Sequence, residues 1–189
     1  MRFLLSALVL LLVAPSAWAQ SPNLTQTELI ERYNARLAKD GQDRVKSCWQ
    51  RKADQFLCSF VDAQFRTTLD DNTDITGSID ASIAPTSMII ITVGDHIDTI
   101  DLMGDRGRPA DLINFTAHFE SLLHVLGPTR SDYQVEMDTL NLGLVRGDKD
   151  ADIGQEREVS ESFAKIQCLN RPWNVSVGIG CVIKLLPQS

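Results

Sequence analysis

Met88-Ile-Ile-Ile-Thr-Val93, then Gly94-Asp-His96, then Ile97-Asp-Thr-Ile-Asp-Leu102 is the stretch on which the fold reading turns. The first six residues are apolar on both alternating faces, the pattern of a strand covered on both sides. Gly94 to His96 supplies a turn, and Ile97 to Leu102 runs back. A two-residue loop would set Ile91 opposite Asp98. A three-residue loop pairs Met88 with Leu102, Ile90 with Ile100 and Thr92 with Asp98, gathering apolar side chains on one face. The second register is therefore expected.

Two amphipathic helices flank this hairpin in sequence. Thr25 is placed as an N-cap with Glu28 as its capping-box partner, and Leu24 and Leu29 form a hydrophobic staple. Leu29, Ile30, Tyr33 and Leu37 make one face, and Asp40-Gly41 ends the helix. Pro109 opens the second helix, whose stripe is Leu112, Phe115, Phe119, Leu122, Leu123 and Leu126. Gly127-Pro128 stops it, and Asp111, Asn114, His118 and Ser121 lie toward its polar side. Val45–Cys48 and Phe56–Leu69 read as strands, with Gln50–Gln55 as the turn between them. Phe163–Leu169 and Val175–Leu185 form a last hairpin. Ser131–Val145 is ambiguous and leans to strand in its second half, because Gly143 weakens a helix. Residues 70–85 and 147–161 read as loops. The class is α+β: a mainly antiparallel sheet built from hairpins, two amphipathic helices packed on one face, and two local disulfides.

Met1-Arg2, the apolar run Phe3–Val13, Pro15 and Ala17-Trp18-Ala19 compose a signal peptide over residues 1–19. The run is shorter than the ~20 apolar residues of a membrane span. Residues 20–189 are then one disulfide-stapled α+β domain, exported to a bacterial periplasm or secreted. Cys48, Cys58, Cys168 and Cys181 all lie in it. An even count in an oxidising compartment implies disulfides, and spacing favours Cys48 with Cys58 and Cys168 with Cys181, each bracketing a hairpin. Neither pair has the close spacing of a zinc site. Cys48-Trp49-Gln50-Arg51 echoes Cys168-Leu169-Asn170-Arg171 in residue type, and chance similarity between two stapled hairpins explains this more simply than duplication.

The chain carries a formal net charge of −7, which disfavours nucleic acid and anionic membrane surfaces, and its Lys and Arg read as scattered. Catalytic motifs are sparse. His118 and His124 stand about 240° apart around one helix and cannot share a metal. All three histidines, His96 included, read as solvated or helix-surface imidazoles. No serine sits in G-x-S-x-G. Asp148-Lys-Asp150-Ala-Asp152 resembles the start of a calcium loop, but Gly154 falls one position late and Val159 replaces the closing Glu. Asn23, Asn114 and Asn174 open glycosylation sequons that read as incidental. Trp49 and Trp173 read as packing residues beside the bridges rather than as a binding surface. No cofactor or metal is implied.

The functional expectation is a non-catalytic module that binds an envelope or extracellular protein through its sheet surface or the 70–85 loop. The alternative is a small secreted hydrolase in which carboxylates or His96 beside Asp98 converge in three dimensions.

Overall fold

The structure is a computed structural model that describes residues 24–60, 86–144, 154–173 and 176–187. Seven strands form one antiparallel sheet in the order β1-β2-β3-β4-β7-β6-β5. They are β1 (Ser47–Lys52), β2 (Gln55–Ser59), β3 (Thr86–Val93), β4 (His96–Asp105), β5 (Glu156–Ser160), β6 (Ala164–Trp173) and β7 (Ser176–Leu185). Three helices, α1 (Gln26–Lys39), α2 (Pro109–Leu126) and α3 (Asp132–Asn141), share one core with one face of this sheet.

The sheet's two faces follow from the period of two along each strand. Met88 pairs with Leu102 and Ile90 with Ile100, and all four are fully buried toward the helices. Beyond Ile91 the expected register fails. Gly94-Asp95 makes a two-residue turn, Val93 faces His96, and Thr92 faces Ile97 rather than Asp98. Asp98 is the extra residue of a β-bulge, and the bulge rotates Ile97 onto the core side. Burying Ile97 instead of Asp98 is the physical reason for the shift, since an unpaired carboxylate there would be far costlier.

One rung crosses the whole sheet on the helix side. Cys48 faces Cys58, Cys58 faces Met88, Met88 faces Leu102, Leu102 faces Cys181, Cys181 faces Cys168, and Cys168 faces Arg157. Both disulfides lie on that rung, Cys48–Cys58 and Cys168–Cys181, with Cα atoms 4.0 and 4.1 Å apart. The pairing is the one that spacing favoured, and it fits an oxidising compartment. The next rung, on the far face, runs Trp49, Leu57, Ile89, Asp101, Val182, Gln167 and Glu158. That face is apolar over β1–β4, where Leu57, Ile89 and Met103 are buried with Trp49 and Ile91 beside them. Over β5–β7 it turns polar.

α1 begins as expected. The Thr25 hydroxyl accepts from the Glu28 amide, the Glu28 carboxylate accepts from the Thr25 amide, and Leu24 and Leu29 are buried. The helix layer differs from the expected pair by a third member. Ser131 and Gln134 form a second capping box, and α3 occupies Asp132–Asn141 in the stretch read as ambiguous, running into the second half that leaned to strand. Gly143 does not weaken this helix, because it lies beyond its end with φ +73°. There it turns the chain, and an added Cβ would stand 2.7 Å from Arg157 Nη1.

α2 packs between α1 and α3 and against β4, so its polar side is buried too. Asp111, His118 and Ser121 are all buried. Strand boundaries move as well, β6 running on to Trp173 where Leu169 was the expected end. β1 runs on through Lys52, leaving only Ala53-Asp54 as the turn. β5 replaces part of the 147–161 loop, its Val159 packed against the core and Glu156, Glu158 and Ser160 exposed. β2 closes at Ser59, and residues 61–69 of the expected strand fall outside the described residues, as do residues 1–19 and 70–85. No helix among the described residues is long and apolar enough to cross a membrane.

Candidate functional site

An open groove of about 350 Å³ lies between α1 and the outer edge of the sheet. Gln26, Ile30 and Asn34, one stripe at helical spacing, form one wall together with Thr27 and Glu31; Val45, Lys46, Ser47 and Cys48 form the other. Ile30 and Cys48 are partly buried against the core, so the floor is apolar and the rims polar.

Asn34 fixes the width of the groove. Its side-chain oxygen accepts from the Val45 amide at 2.7 Å, and its amide nitrogen donates to the Val45 carbonyl at 3.3 Å. The carboxamide thus pairs with the backbone as a strand would, and it holds the lead into β1 against the helix. β1 is the terminal strand of the sheet among the described residues.

The phase of that edge can be worked out. The Thr92 amide donates to the Asp54 carbonyl at 2.9 Å. Backbone groups of Asp54, Phe56 and Cys58 therefore point at β3, and those of Gln55, Leu57 and Ser59 point at β1. Cys48 opposite Cys58 is then a narrow, non-hydrogen-bonded pair, in keeping with its 4.0 Å Cα separation. Within the regular part of β1, the N–H and C=O groups of Cys48 and Gln50 face outward. Past Gln50 a bulge at Arg51 interrupts the ladder.

The charge on this edge opposes that of the chain. Arg44, Lys46, Arg51 and Lys52 fall within residues 44–52, which hold no Asp or Glu. None of the four forms an ion pair with a described residue, and Arg44, Lys46 and Lys52 are exposed. The reading of the cations as scattered misses this cluster. Its signal was present as four cations without an acid over nine residues, diluted by an acidic whole.

The anticipated catalytic residues do not assemble. His96 is exposed at the start of β4, and no hydrogen bond joins it to Asp98, whose carboxylate accepts from the Thr99 hydroxyl at 2.7 Å. His118 is no surface imidazole: burial in the α1–α2 interface pushes it down to about 4, with Asp43 pulling weakly upward. The Phe60 ring lies 4.3 Å away, and the buried Nδ1 has no hydrogen-bond partner among the described residues.

Ser121 donates to Asp40 at 2.7 Å, Arg36 pairs with Asp40 at 2.6 Å, and His124 Nε2 lies 3.2 Å from Asp132. Desolvation lowers the pKa of His124, and the nearby Arg36 adds to that. The Ser121 hydroxyl is thus spent on a carboxylate and has no imidazole to take its proton, so it is not activated as a nucleophile. Arg130, with its side chain 8% exposed, pairs with the equally buried Asp138 at 2.6 Å and lies 5.8 Å from the Phe163 ring centre. This clasp closes the α2–α3 link onto Phe163, which precedes β6.

Among the described residues no three His, Cys, Asp or Glu side chains gather to hold a metal. Most of the acidic stretch from Asp148 lies outside the described residues, as does Asn23, while Asn114 is exposed on α2. Trp49 packs beside Leu57 on the far face of the sheet. Compared with known proteins, the chain matches no family model, no curated relative and no solved structure.

Proposed function

We propose that this chain is an exported, non-catalytic binding module that holds a segment of an envelope or extracellular protein in the α1–β1 groove. The observation that carries the reading is the groove itself. It has an apolar floor at Ile30 and Cys48, polar rims, and a strand edge whose backbone groups at Cys48 and Gln50 face outward. Binding sites combine concave apolar surface with a few placed polar groups in this way. The hydrolase alternative is weaker, because among the described residues no hydrogen bond joins His96 to Asp98 and the Ser121 hydroxyl is bonded to Asp40.

The test uses the full oxidised chain immobilised beside an Ile30→Arg variant, both exposed to native envelope extract. A partner retained by the parent and lost by the variant, with the variant's amide spectrum still dispersed, is the expected result. Equal capture by both would place binding elsewhere and overturn the proposal.

A further inference from the structure

We infer that the groove's occupant is an extended acidic segment of a partner protein, added to β1 as an eighth strand. The inference rests on the groove reading above and names the chemistry of its ligand.

Two independent features point the same way. The first is the edge. Cys48 and Gln50 present an outward donor and acceptor pair each, spaced as a partner strand requires, and the pairing of Asn34 with both backbone groups of Val45 marks where that edge begins. An added strand would meet Ile30 on its helix side and Trp49 on the far side, so its side chains would be sorted by alternation.

The second is charge. Arg44, Lys46, Arg51 and Lys52 form a cationic border on a chain of net charge −7, and none of them forms an ion pair with a described acid. Cations on an open edge discourage the same edge of another copy from pairing, because an antiparallel β1–β1 contact would bring like charges together. They do not discourage an acidic strand, which they would attract and align. The outward backbone groups favour a peptide over a nucleic acid, because they offer ladder hydrogen bonds that a phosphate backbone cannot use.

The probe is a fluorescein-labelled eight-residue peptide alternating Glu and Val, titrated into the full oxidised chain and followed by anisotropy and amide chemical shifts. Its companions are the same peptide with alternate backbone N-methyl groups, a Lys–Val version, a neutral Ser–Val version and a single-stranded oligonucleotide.

The expected result is saturable binding of the Glu–Val peptide, with shifts at Ile30, Cys48 and Gln50. N-methylation should abolish it. Replacing Arg44, Lys46, Arg51 and Lys52 together by Gln should weaken it about tenfold, on the scale of several exposed charge contacts. Because all four replacements are on the surface, an unchanged amide spectrum will show that the fold persists.

Equal binding of the N-methylated peptide would refute strand addition. Equal binding of the Lys–Val peptide would refute the acidic ligand. Displacement by the oligonucleotide at lower concentration would assign the edge to nucleic acid. Self-association of the chain that is lost on replacing Glu156 and Glu158 by Gln would assign it to the β5 edge of a second copy. Shifts at Ile30 and Cys48 with the Ser–Val peptide alone would overturn this inference and leave the groove proposal standing. No shifts there with any probe would overturn both.

Discussion

Acidifying the protein should expose the cost of one buried imidazole. His118 sits in the α1–α2 interface with 4% of its surface exposed, its ring 4.3 Å from that of Phe60. The Tyr33 hydroxyl donates to the His118 carbonyl at 2.9 Å, and Tyr33 meets Phe60 edge-on at 6.0 Å. The imidazole is thus buried against Phe60, and among the described residues Nδ1 has no acceptor to stabilise a second proton. Desolvation holds its pKa near 4, against 6.5 for the free side chain.

The sign follows from linkage. Between pH 6.5 and 4 the unfolded chain takes up a proton here and the folded chain does not, so stability falls as pH falls through that window. Going from pH 7 to pH 5 removes about 2 kcal/mol by this route, and the loss levels off at about 3 kcal/mol below pH 4.

His118→Leu keeps the volume nearly constant and deletes the titration. Other groups also move. Burial raises the pKa of Glu120, so its ionised form costs stability at neutral pH and acidification relieves that cost; His124 acts in the same direction as His118. Both remain in the variant, so the comparison of parent with variant cancels them.

Urea unfolding of each at pH 7 and pH 5 reads the difference directly. The parent should lose about 2 kcal/mol more than His118→Leu over that interval. The imidazole C2 proton of His118 should titrate with a midpoint near 4. Parallel declines of the two proteins, or a midpoint near the ordinary 6.5, would refute the burial argument.

The remaining predictions concern what holds the sheet. Replacing Cys48 and Cys58 by Ala should cost about 2–3 kcal/mol in unfolding free energy, and the Cys168 and Cys181 pair a similar amount; thiol alkylation without reductant should find no reactive site in the parent, where both bridges are closed. The amides of Ile89 and Ile90, bonded between β2 and β4, should be among the slowest to exchange with deuterium, and fast exchange there would remove β3 from the core. Arg130→Met should cost roughly 3–5 kcal/mol because it strands the buried Asp138 carboxylate, whereas adding Asp138→Leu should recover most of that. A double variant no more stable than the single would show that the guanidinium acts by packing alone.

What sequence made legible was wherever local chemistry and tertiary packing agree. The Thr25–Glu28 box, Pro109 at the start of α2 and the cysteine spacings are local signals that no later contact overrides. The misreadings share a cause: the decisive partner is distant in sequence. Gly143 looks like a helix breaker until α3 is seen to end before it, with Arg157 crowding the turn. His118 looks solvent-facing from the helical wheel of α2 alone, and is buried with the Phe60 ring packed against it. The charged strand β5 carries too little apolar signal to be read, and becomes a strand by pairing with β6. The groove could not be read at all, since it joins α1 to a strand whose edge status depends on the order of all seven.

That order also explains the weak echo between the two Cys-containing tetrads. The hairpins β1–β2 and β6–β7 flank β3–β4 on opposite sides, and their cystines fall on one rung about a centre between Met88 and Leu102. A duplicated unit would keep the same chain order in both halves. Here β3 follows β2, whereas β4 precedes β6 and β7. The common requirement is therefore physical: each outer hairpin must cover the helix-facing core with a narrow pair, and a cystine fills that place on both sides. The echo ends at the sheet's borders. β5 covers the β6 side with two exposed glutamates, whereas no described strand covers β1, where the cations lie. The two similar staples thus support unlike edges, and the basic one stands beside the α1–β1 groove.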